Sequence, residues 1–209
     1  MVSSSVLPAA PGAFFDQKRQ RLTLRNEAAE PWLINGFARV RFTDRATVHT
    51  SDRRYDTDVA ASDEETVITC TDRRGILDLT WTLRMLDGRS ATALLVLHNR
   101  GEKPLRLERM DVLVGRLPER GDPEKRHILL NGFVLSPPHS TERKPGMDAV
   151  NSHETLAVES PPLAAGWLTG KHNFGHVDAR ELNGQPVVFA WGECNGCVLP
   201  PGASRTSDL

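Results

Sequence analysis

Apolar and polar residues alternate with a period of two along most of this chain. The clearest run is Leu77–Met85, in which leucine, tryptophan and methionine alternate with aspartate, threonine and arginine. This pattern predicts a half-buried strand, with one face in a core and the other in solvent. Asp87-Gly88 follows it as a hairpin turn signal, and the apolar run Ala91–Leu97 predicts a central strand.

The segment Leu105–Val114 contains a change of phase. Its first apolar residues, Leu105 and Leu107, are out of phase with the alternation that runs from Met110 to the end of the segment. A one-residue slip would place half of these side chains in water. The sequence therefore predicts a β-bulge near Glu108–Arg109.

Further short segments show the same alternation. They are Arg21–Arg25, Gly36–Thr43, Thr66–Thr71, His127–Phe133, Glu154–Glu159, Gly166–Thr169, Gly175–Arg180 and Pro186–Trp191. Turn signals recur between strands, as at Asn99–Gly101, Asn183-Gly184 and Pro200–Gly202. No window shows a helical period longer than two turns. Many short strands with almost no helix predict an all-β sandwich or barrel.

Three segments fall outside this pattern. Residues 1–12 are rich in serine, alanine and proline and are predicted to form a flexible tail, so that 13–209 form the β-domain. Pro118–Arg126 and Ser136–Asn151 are polar and are predicted to be loops. The second would hold about 16 residues without secondary structure, a length typical of functional or disordered segments.

Charge and composition narrow the function. The formal net charge is −1, so no overall field draws the chain to nucleic acid or to anionic lipid. No segment reaches the ~20 apolar residues of a membrane helix, and the first residues do not resemble a secretory signal. The odd, sparse set of Cys70, Cys194 and Cys197 is not a disulfide framework. We therefore predict a cytoplasmic protein without nucleic-acid or membrane partners.

Cys194–Cys197 has the spacing of a zinc or redox motif. A structural zinc site needs four ligands, and the sequence offers no second pair at a suitable spacing. The cysteines of a redox pair lie at the start of a helix, and the sequence of this region does not predict a helix. His172 and His176 would lie about 13 Å apart on an extended strand, too far to share a metal. The prediction is two free thiols in a hairpin turn, with no metal and no cofactor.

No catalytic residue is predicted either. The acidic residues Asp63–Glu65 and Glu102 are typical of solvated loops, and the sequence contains no nucleophile elbow, phosphate-binding loop or zinc-protease motif. Trp81 occupies the apolar phase of its strand and is predicted to be core. Trp32, Trp167 and Trp191 fit either a core or a platform on which a sugar could stack.

Several segments, in their order along the chain, resemble the N-terminal β-domain of melibiase-type, family-36-like α-galactosidases. Gly75–Leu86, Ala93–Gly101 and Leu105–Leu113 are similar to the middle of that domain. Leu130–Phe133 resembles its Asn-Gly-aromatic turn. The family commonly continues with Gln-Ser-Trp, whereas this chain continues with Val134–Ser136.

Later segments extend the resemblance over nearly the whole chain, from Leu22 to Leu209. Asn151–His153 and Ala164–Thr169 are similar to later strands of the family's domain. Leu199–Gly202 and Ser207–Leu209 resemble the last strands before the family's linker.

The resemblance implies a large two-sheet antiparallel super-sandwich of the galactose mutarotase type. In the family a (β/α)₈ barrel follows and supplies both catalytic aspartates. The resemblance therefore implies a non-catalytic N-terminal domain, truncated at its C-terminal end, that packs on the barrel, assists assembly and shapes the sugar pocket. The alternative is a freestanding carbohydrate-binding or interaction module. The ending inside a strand-like segment at 207–209 favours the first.

The expected partners are the barrel of the same parent enzyme, further copies of that enzyme in a homo-oligomer, and galactosides. The residues predicted to form a binding or interface surface are Asn131, Gly132, Phe133, Ser136, His153 and Trp167.

Overall fold

A computed structural model describes residues 12–118, 128–132, 139–143, 152–153, 155–158, 163–167 and 174–207. These ranges contain seventeen strands and no helix, which confirms the predicted all-β fold. The strands are β1 (Gly12–Asp16), β2 (Arg21–Arg25), β3 (Pro31–Phe42), β4 (Val48–His49), β5 (Tyr55–Ala61), β6 (Glu65–Asp72), β7 (Leu77–Met85), β8 (Ala91–Asn99), β9 (Leu105–Arg116), β10 (Ile128–Gly132), β11 (His139–Arg143), β12 (Ser152–His153), β13 (Thr155–Val158), β14 (Leu163–Gly166), β15 (Phe174–Leu182), β16 (Gln185–Leu199) and β17 (Ser204–Thr206).

The strands form three antiparallel sheets. The largest has eight strands in the order β1-β2-β3-β9-β16-β15-β12, with β4 paired to β3. The second has five strands in the order β17-β8-β7-β6-β5, and the third has four in the order β11-β10-β13-β14. Consecutive strands are neighbours within most of the second sheet, whereas β9 and β16 bring distant parts of the chain to the centre of the first.

The main core lies between the eight-stranded and five-stranded sheets. Strand β7 alternates buried and half-buried positions from Leu77 to Leu83, as its sequence pattern predicts. Trp81, at its centre, is fully buried, which confirms its prediction as a core residue. A smaller cluster packs β14 against β15 and β16, and it includes Val177 and Val188.

Strand β9 contains the predicted bulge. Against β3, Arg41 pairs with Arg109 and Phe42 with Leu107, so Glu108 has no partner in that ladder. The extra residue brings the apolar side chains before and after it into the same core cluster. The predicted position near Glu108–Arg109 is confirmed.

A second shift in β9 was not predicted. Against β16, Ala190 pairs with Leu113 and Trp191 with Asp111, so Val112 is the extra residue. Val112 stays in the main core, but Val114 joins a cluster on the opposite face of the sheet. The single phase predicted from Met110 to Val114 is therefore wrong at Val114.

Two loop predictions are also wrong. The segment 136–151, predicted to lack secondary structure, contains β11, which pairs along its length with β10. Cys194 and Cys197 lie within the long strand β16 and not in a hairpin turn. A register shift between Glu193 and Cys197 accommodates Asn195 and Gly196, both of which have positive φ.

No helix in the described ranges has the length and apolar character to cross a membrane.

Candidate functional site

An apolar cleft opens between the sheets, over the centre of the eight-stranded sheet. It lies between the β7–β8 hairpin on one side and β14 on the other, and its volume is about 850 Å³. The apolar residues that line it are Leu24, Ala28, Trp32, Leu33, Leu86, Ala91, Ala93, Val112, Leu113, Leu163, Ala164, Ala165, Trp167, Val188 and Ala190. We call this feature the inter-sheet cleft.

The floor of the cleft is shaped by small residues and one leucine. Val188 and Ala190 of β16 lie opposite Gly115 and Leu113 of β9. Leu33 fills the space above Gly115, because a Cβ atom there would fall 2.5 Å from a Leu33 methyl carbon. The absence of a side chain at Gly115 is thus what gives Leu33 its place against β9.

One end of the cleft is closed by two turns that hydrogen-bond to each other. Asn26 Oδ1 accepts bonds of 3.0 Å from the amides of Ala28 and Glu30, which fixes the β2–β3 turn. The Glu27 amide donates to the Gly88 carbonyl at 3.1 Å. This last bond links the β2–β3 turn of the eight-stranded sheet to the β7–β8 hairpin of the five-stranded sheet.

Trp167 stands at the opposite end of the cleft. Its Nε1 donates a 3.0 Å hydrogen bond to the carbonyl oxygen of His176, which satisfies the polar end of the indole. Its ring packs directly on Gly175. The side chain is half-buried, so part of the indole is offered to the cleft.

The structure brings some of the predicted surface residues together. His153 pairs with His176 in the β12–β15 ladder, so His153 and Trp167 both contact the same residue. Asn131 pairs with Thr155, and Thr155 pairs with Gly166, the neighbour of Trp167. Two strand spacings, about 10 Å, therefore separate Asn131 from the β14 edge.

Of the other three predicted surface residues, the structure describes one. Gly132 pairs with His139 at the end of β10. Phe133 and Ser136 lie outside the described residues, as does His172. The predicted surface thus maps to the third sheet and its junction with the eight-stranded sheet, and the cleft lies beside it.

Sequence reasoning missed the cleft because five distant segments build it. The sequence indicates Trp32 as a possible platform. It does not indicate that the β7–β8 hairpin, whose Leu86 is 62% exposed, lies opposite Trp32 across the cleft. Trp167 carried the same signal as Trp32, and the glycine at 175 added another, since a glycine inside a strand marks close approach of another group. Trp191 is 2% exposed and belongs to the core, which resolves its two interpretations.

The opposite face of the eight-stranded sheet carries buried charge. Asp111 is fully buried and accepts bonds of 2.5 Å from both Arg39 and Arg109. Burial lowers the pKa of Arg109, while the Asp111 carboxylate opposes that shift. The Arg109 guanidinium also lies 4.4 Å from the centroid of the Trp191 ring, and the His176 ring stacks on Trp191 with the two centroids 5.0 Å apart. These buried contacts stabilise the sheet. The residues named here include no open pair of carboxylates that could act in catalysis.

No three histidine, cysteine or acidic side chains in the described ranges lie close enough together to hold a metal ion. Cys70, Cys194 and Cys197 form no disulfide within the described ranges. Comparison with known proteins adds no family assignment: the sequence matches no protein-family model and no curated protein.

Proposed function

We propose that this chain is a non-catalytic β-domain of an α-galactosidase-like glycoside hydrolase, and that it packs on the catalytic (β/α)₈ barrel of its parent enzyme. The observation that supports it is the inter-sheet cleft, a largely apolar opening with an exposed leucine at its rim and a half-buried tryptophan at its end. Free monomers rarely leave large apolar surfaces in water. A segment of the barrel is the occupant that the resemblance suggests.

In this proposal the domain assists assembly and shapes the mouth of the sugar pocket. The parent enzyme works in the cytoplasm as a homo-oligomer on galactosides, and the chemistry resides in the barrel. The isolated domain then hydrolyses no nitrophenyl α-galactoside. Turnover by the purified domain that persists through repurification would contradict the proposal.

The test is association with a separately produced barrel of a melibiase-type α-galactosidase, measured by sedimentation velocity. We expect a one-to-one complex that is lost in Leu86→Asp, because the charge would be buried in the contact. Val198→Asp is the matched control, since Val198 is 46% exposed and lies outside the cleft. Equal association of both variants, or no association of the unchanged domain, would exclude docking through the cleft.

The second candidate is a freestanding carbohydrate-binding module. The observation that favours it is the pair of half-buried indoles, Trp32 and Trp167, that line the same cleft. Aromatic rings provide an apolar surface for sugar rings. Binding of galactosides by the isolated chain, lost in Trp167→Ala and retained in Leu86→Asp, would favour this function over docking.

A further inference from the structure

A second concavity lies on the opposite face of the eight-stranded sheet and has a different chemistry. Its volume is about 1030 Å³, and its floor is formed by Phe37, Val114, Val187 and Phe189. The cationic residues that line it are Lys18, Arg19, Arg21, Arg39, Arg53, Arg73 and Arg116. No acidic residue lines it among the described parts of the chain. We call it the arginine groove.

Several of these cations already have carboxylate partners. Arg39 pairs with Asp111, Arg73 with Asp56 at 2.7 Å, and Arg19 with Asp16 at 3.8 Å. The groove nonetheless keeps an excess of positive charge, because it contains more cations than these three pairs use. A chain of net charge −1 has therefore concentrated positive charge in one concavity.

The excess charge is carried by Lys18, Arg21 and Arg53. Within the described ranges none of the three forms an ion pair, and the Arg21 guanidinium donates to the Gln20 carbonyl at 3.2 Å. Arg21 also lies over the Phe37 ring, 4.9 Å from its centroid. Burial lowers the pKa of Arg21, and the Asp52 carboxylate offsets only part of that loss. An oxyanion in the groove would compensate this partly desolvated charge.

Local turns fix the backbone positions that carry Arg21 and Arg53. The Asp52 carboxylate accepts a 2.8 Å bond from the His49 amide, which fixes the turn that carries Arg53. Arg21 follows Gln20, whose φ is 53°. Asn35 and Asn183 also line the groove and have φ values of 56° and 53°. The value at Asn183 belongs to the Asn-Gly turn between β15 and β16, so a hairpin fixes this end of the groove.

The lining also suits a ligand that carries hydroxyl groups. Gln20, Asn35, Asn183 and Gln185 contribute amides, which both donate and accept hydrogen bonds. The groove crosses β2, β3, β9 and β16, which are consecutive in the sheet. Three strand spacings make it about 14 Å long, so it fits an extended ligand better than a single small anion. Phe189 is only 7% exposed, and the Phe37 ring is already in contact with Arg21 and stacked with His49. The floor therefore offers little ring surface for stacking nucleic-acid bases.

From these features we propose that the arginine groove binds an acidic oligosaccharide, whose carboxylate or sulfate groups pair with Arg21, Arg53 and Lys18 while its hydroxyls contact the amides. This site is separate from the inter-sheet cleft and does not depend on the function proposed for that cleft.

The test is calorimetric titration of the full chain at low salt with a galacturonic acid trimer and with a sulfated trisaccharide. We expect at least one of the two to bind, with affinity that falls as ionic strength rises. The carboxyl-reduced trimer, which differs from the first probe only in charge, should bind at least about tenfold more weakly if the carboxylated trimer is the better ligand. A comparison of the two acidic probes identifies which oxyanion the groove prefers.

The variants Arg21→Gln and Arg53→Gln should each weaken binding by about tenfold or more. Arg84→Gln is the matched control, because Arg84 is an exposed arginine of the five-stranded sheet outside the groove. Arg53 is exposed, so its variant tests the site even if Arg21→Gln disturbs folding. Failure of both acidic probes to bind, equal affinity of Arg53→Gln and Arg84→Gln, or tighter binding of tripolyphosphate or single-stranded DNA would each overturn the proposal.

Discussion

Trp167 and Gly175 occupy adjoining space so closely that a Cβ atom on residue 175 would overlap the Cγ atom of the indole. The contact joins β14 of the third sheet to β15 of the eight-stranded sheet. It also orients the indole so that Nε1 reaches the His176 carbonyl at 3.0 Å. The wall of the inter-sheet cleft therefore depends on the absence of one methyl group.

Gly175→Ala should consequently lower the free energy of unfolding by about 1–3 kcal/mol, the usual cost of overpacking a filled site. Urea denaturation followed by tryptophan fluorescence measures the change. Gly101→Ala is the control, since its added Cβ would lie 3.4 Å from the nearest atom, the Ile76 carbonyl oxygen, in ordinary contact. Equal stability of the two variants would show that Trp167 moves freely and does not form a fixed wall.

The buried ion pairs of Asp111, on the opposite face of the eight-stranded sheet, give a second prediction. Asp111 is 0% exposed and bridges Arg39 and Arg109, whose side chains are each 15% exposed. Asp111→Asn should cost about 3 kcal/mol, because it leaves two largely buried cations without their shared anion. Asp56→Asn breaks a pair whose side chains are 68% and 60% exposed, and it should cost under about 1 kcal/mol. Similar losses in both variants, measured by chemical denaturation, would argue against a structural role for the buried bridge.

Thiol reactivity should separate the three cysteines. Cys70 is fully buried and its Sγ lies 3.6 Å from the Thr50 carbonyl, whereas Cys197 is half-buried. We expect Cys197 to react first with a disulfide reagent in the native protein, and Cys70 only when the chain unfolds. Cys197→Ser should remove the fast phase. A fast phase that remains in this variant would place another thiol at the surface.

The burial of the Cys70 thiol predicts that the folded protein loses stability at high pH. Burial raises the pKa of Cys70 to about 12, and a hydrogen bond with Thr57 opposes only part of this shift. The unfolded thiol ionises near pH 8.5. A folded pKa above the unfolded value gives stability that is fully present below about pH 8.5 and is lost as the pH rises towards 12. Denaturation at several pH values should show a shallower alkaline decline in Cys70→Ala than in Cys197→Ala. Equal slopes would assign the decline to other groups.

The strands that were predicted well are those with strong alternation and one buried face. Leu77–Met85 and Arg21–Arg25 agree with the structure at both ends. Strand β5, Tyr55–Ala61, was missed because it is an edge strand in which only Tyr55 is fully buried. A strand held mainly by its ladder to β6 carries little hydrophobic signal in its sequence.

The two concave sites were less predictable than the strands, for a physical reason. The inter-sheet cleft depends on how three sheets are placed, and the arginine groove depends on which strands are neighbours. Arg21 and Arg53 are 32 positions apart in the printed sequence, and each alone is an ordinary surface arginine. Only the pairing of β2, β3, β9 and β16, together with that of β4 and β3, reveals that such residues line one concavity.

The last prediction concerns the edge of the five-stranded sheet. The Ser207 amide donates to the Leu95 carbonyl at 2.8 Å, and Ser207 Oγ accepts a 2.9 Å bond from the Leu95 amide. Ser207 is fully buried, so Ser207→Ala leaves a buried amide of β8 without its acceptor and should cost about 1–3 kcal/mol. Ser204→Ala is the matched control, because its hydroxyl meets His98 Nδ1 at 2.9 Å in an exposed position. It should change stability by less than about 0.5 kcal/mol. Hydrogen exchange should show faster exchange of the Leu95 amide in Ser207→Ala only. Unchanged protection of that amide would mean that the hydroxyl is not its structural acceptor, and that β17 is held by its backbone ladder alone.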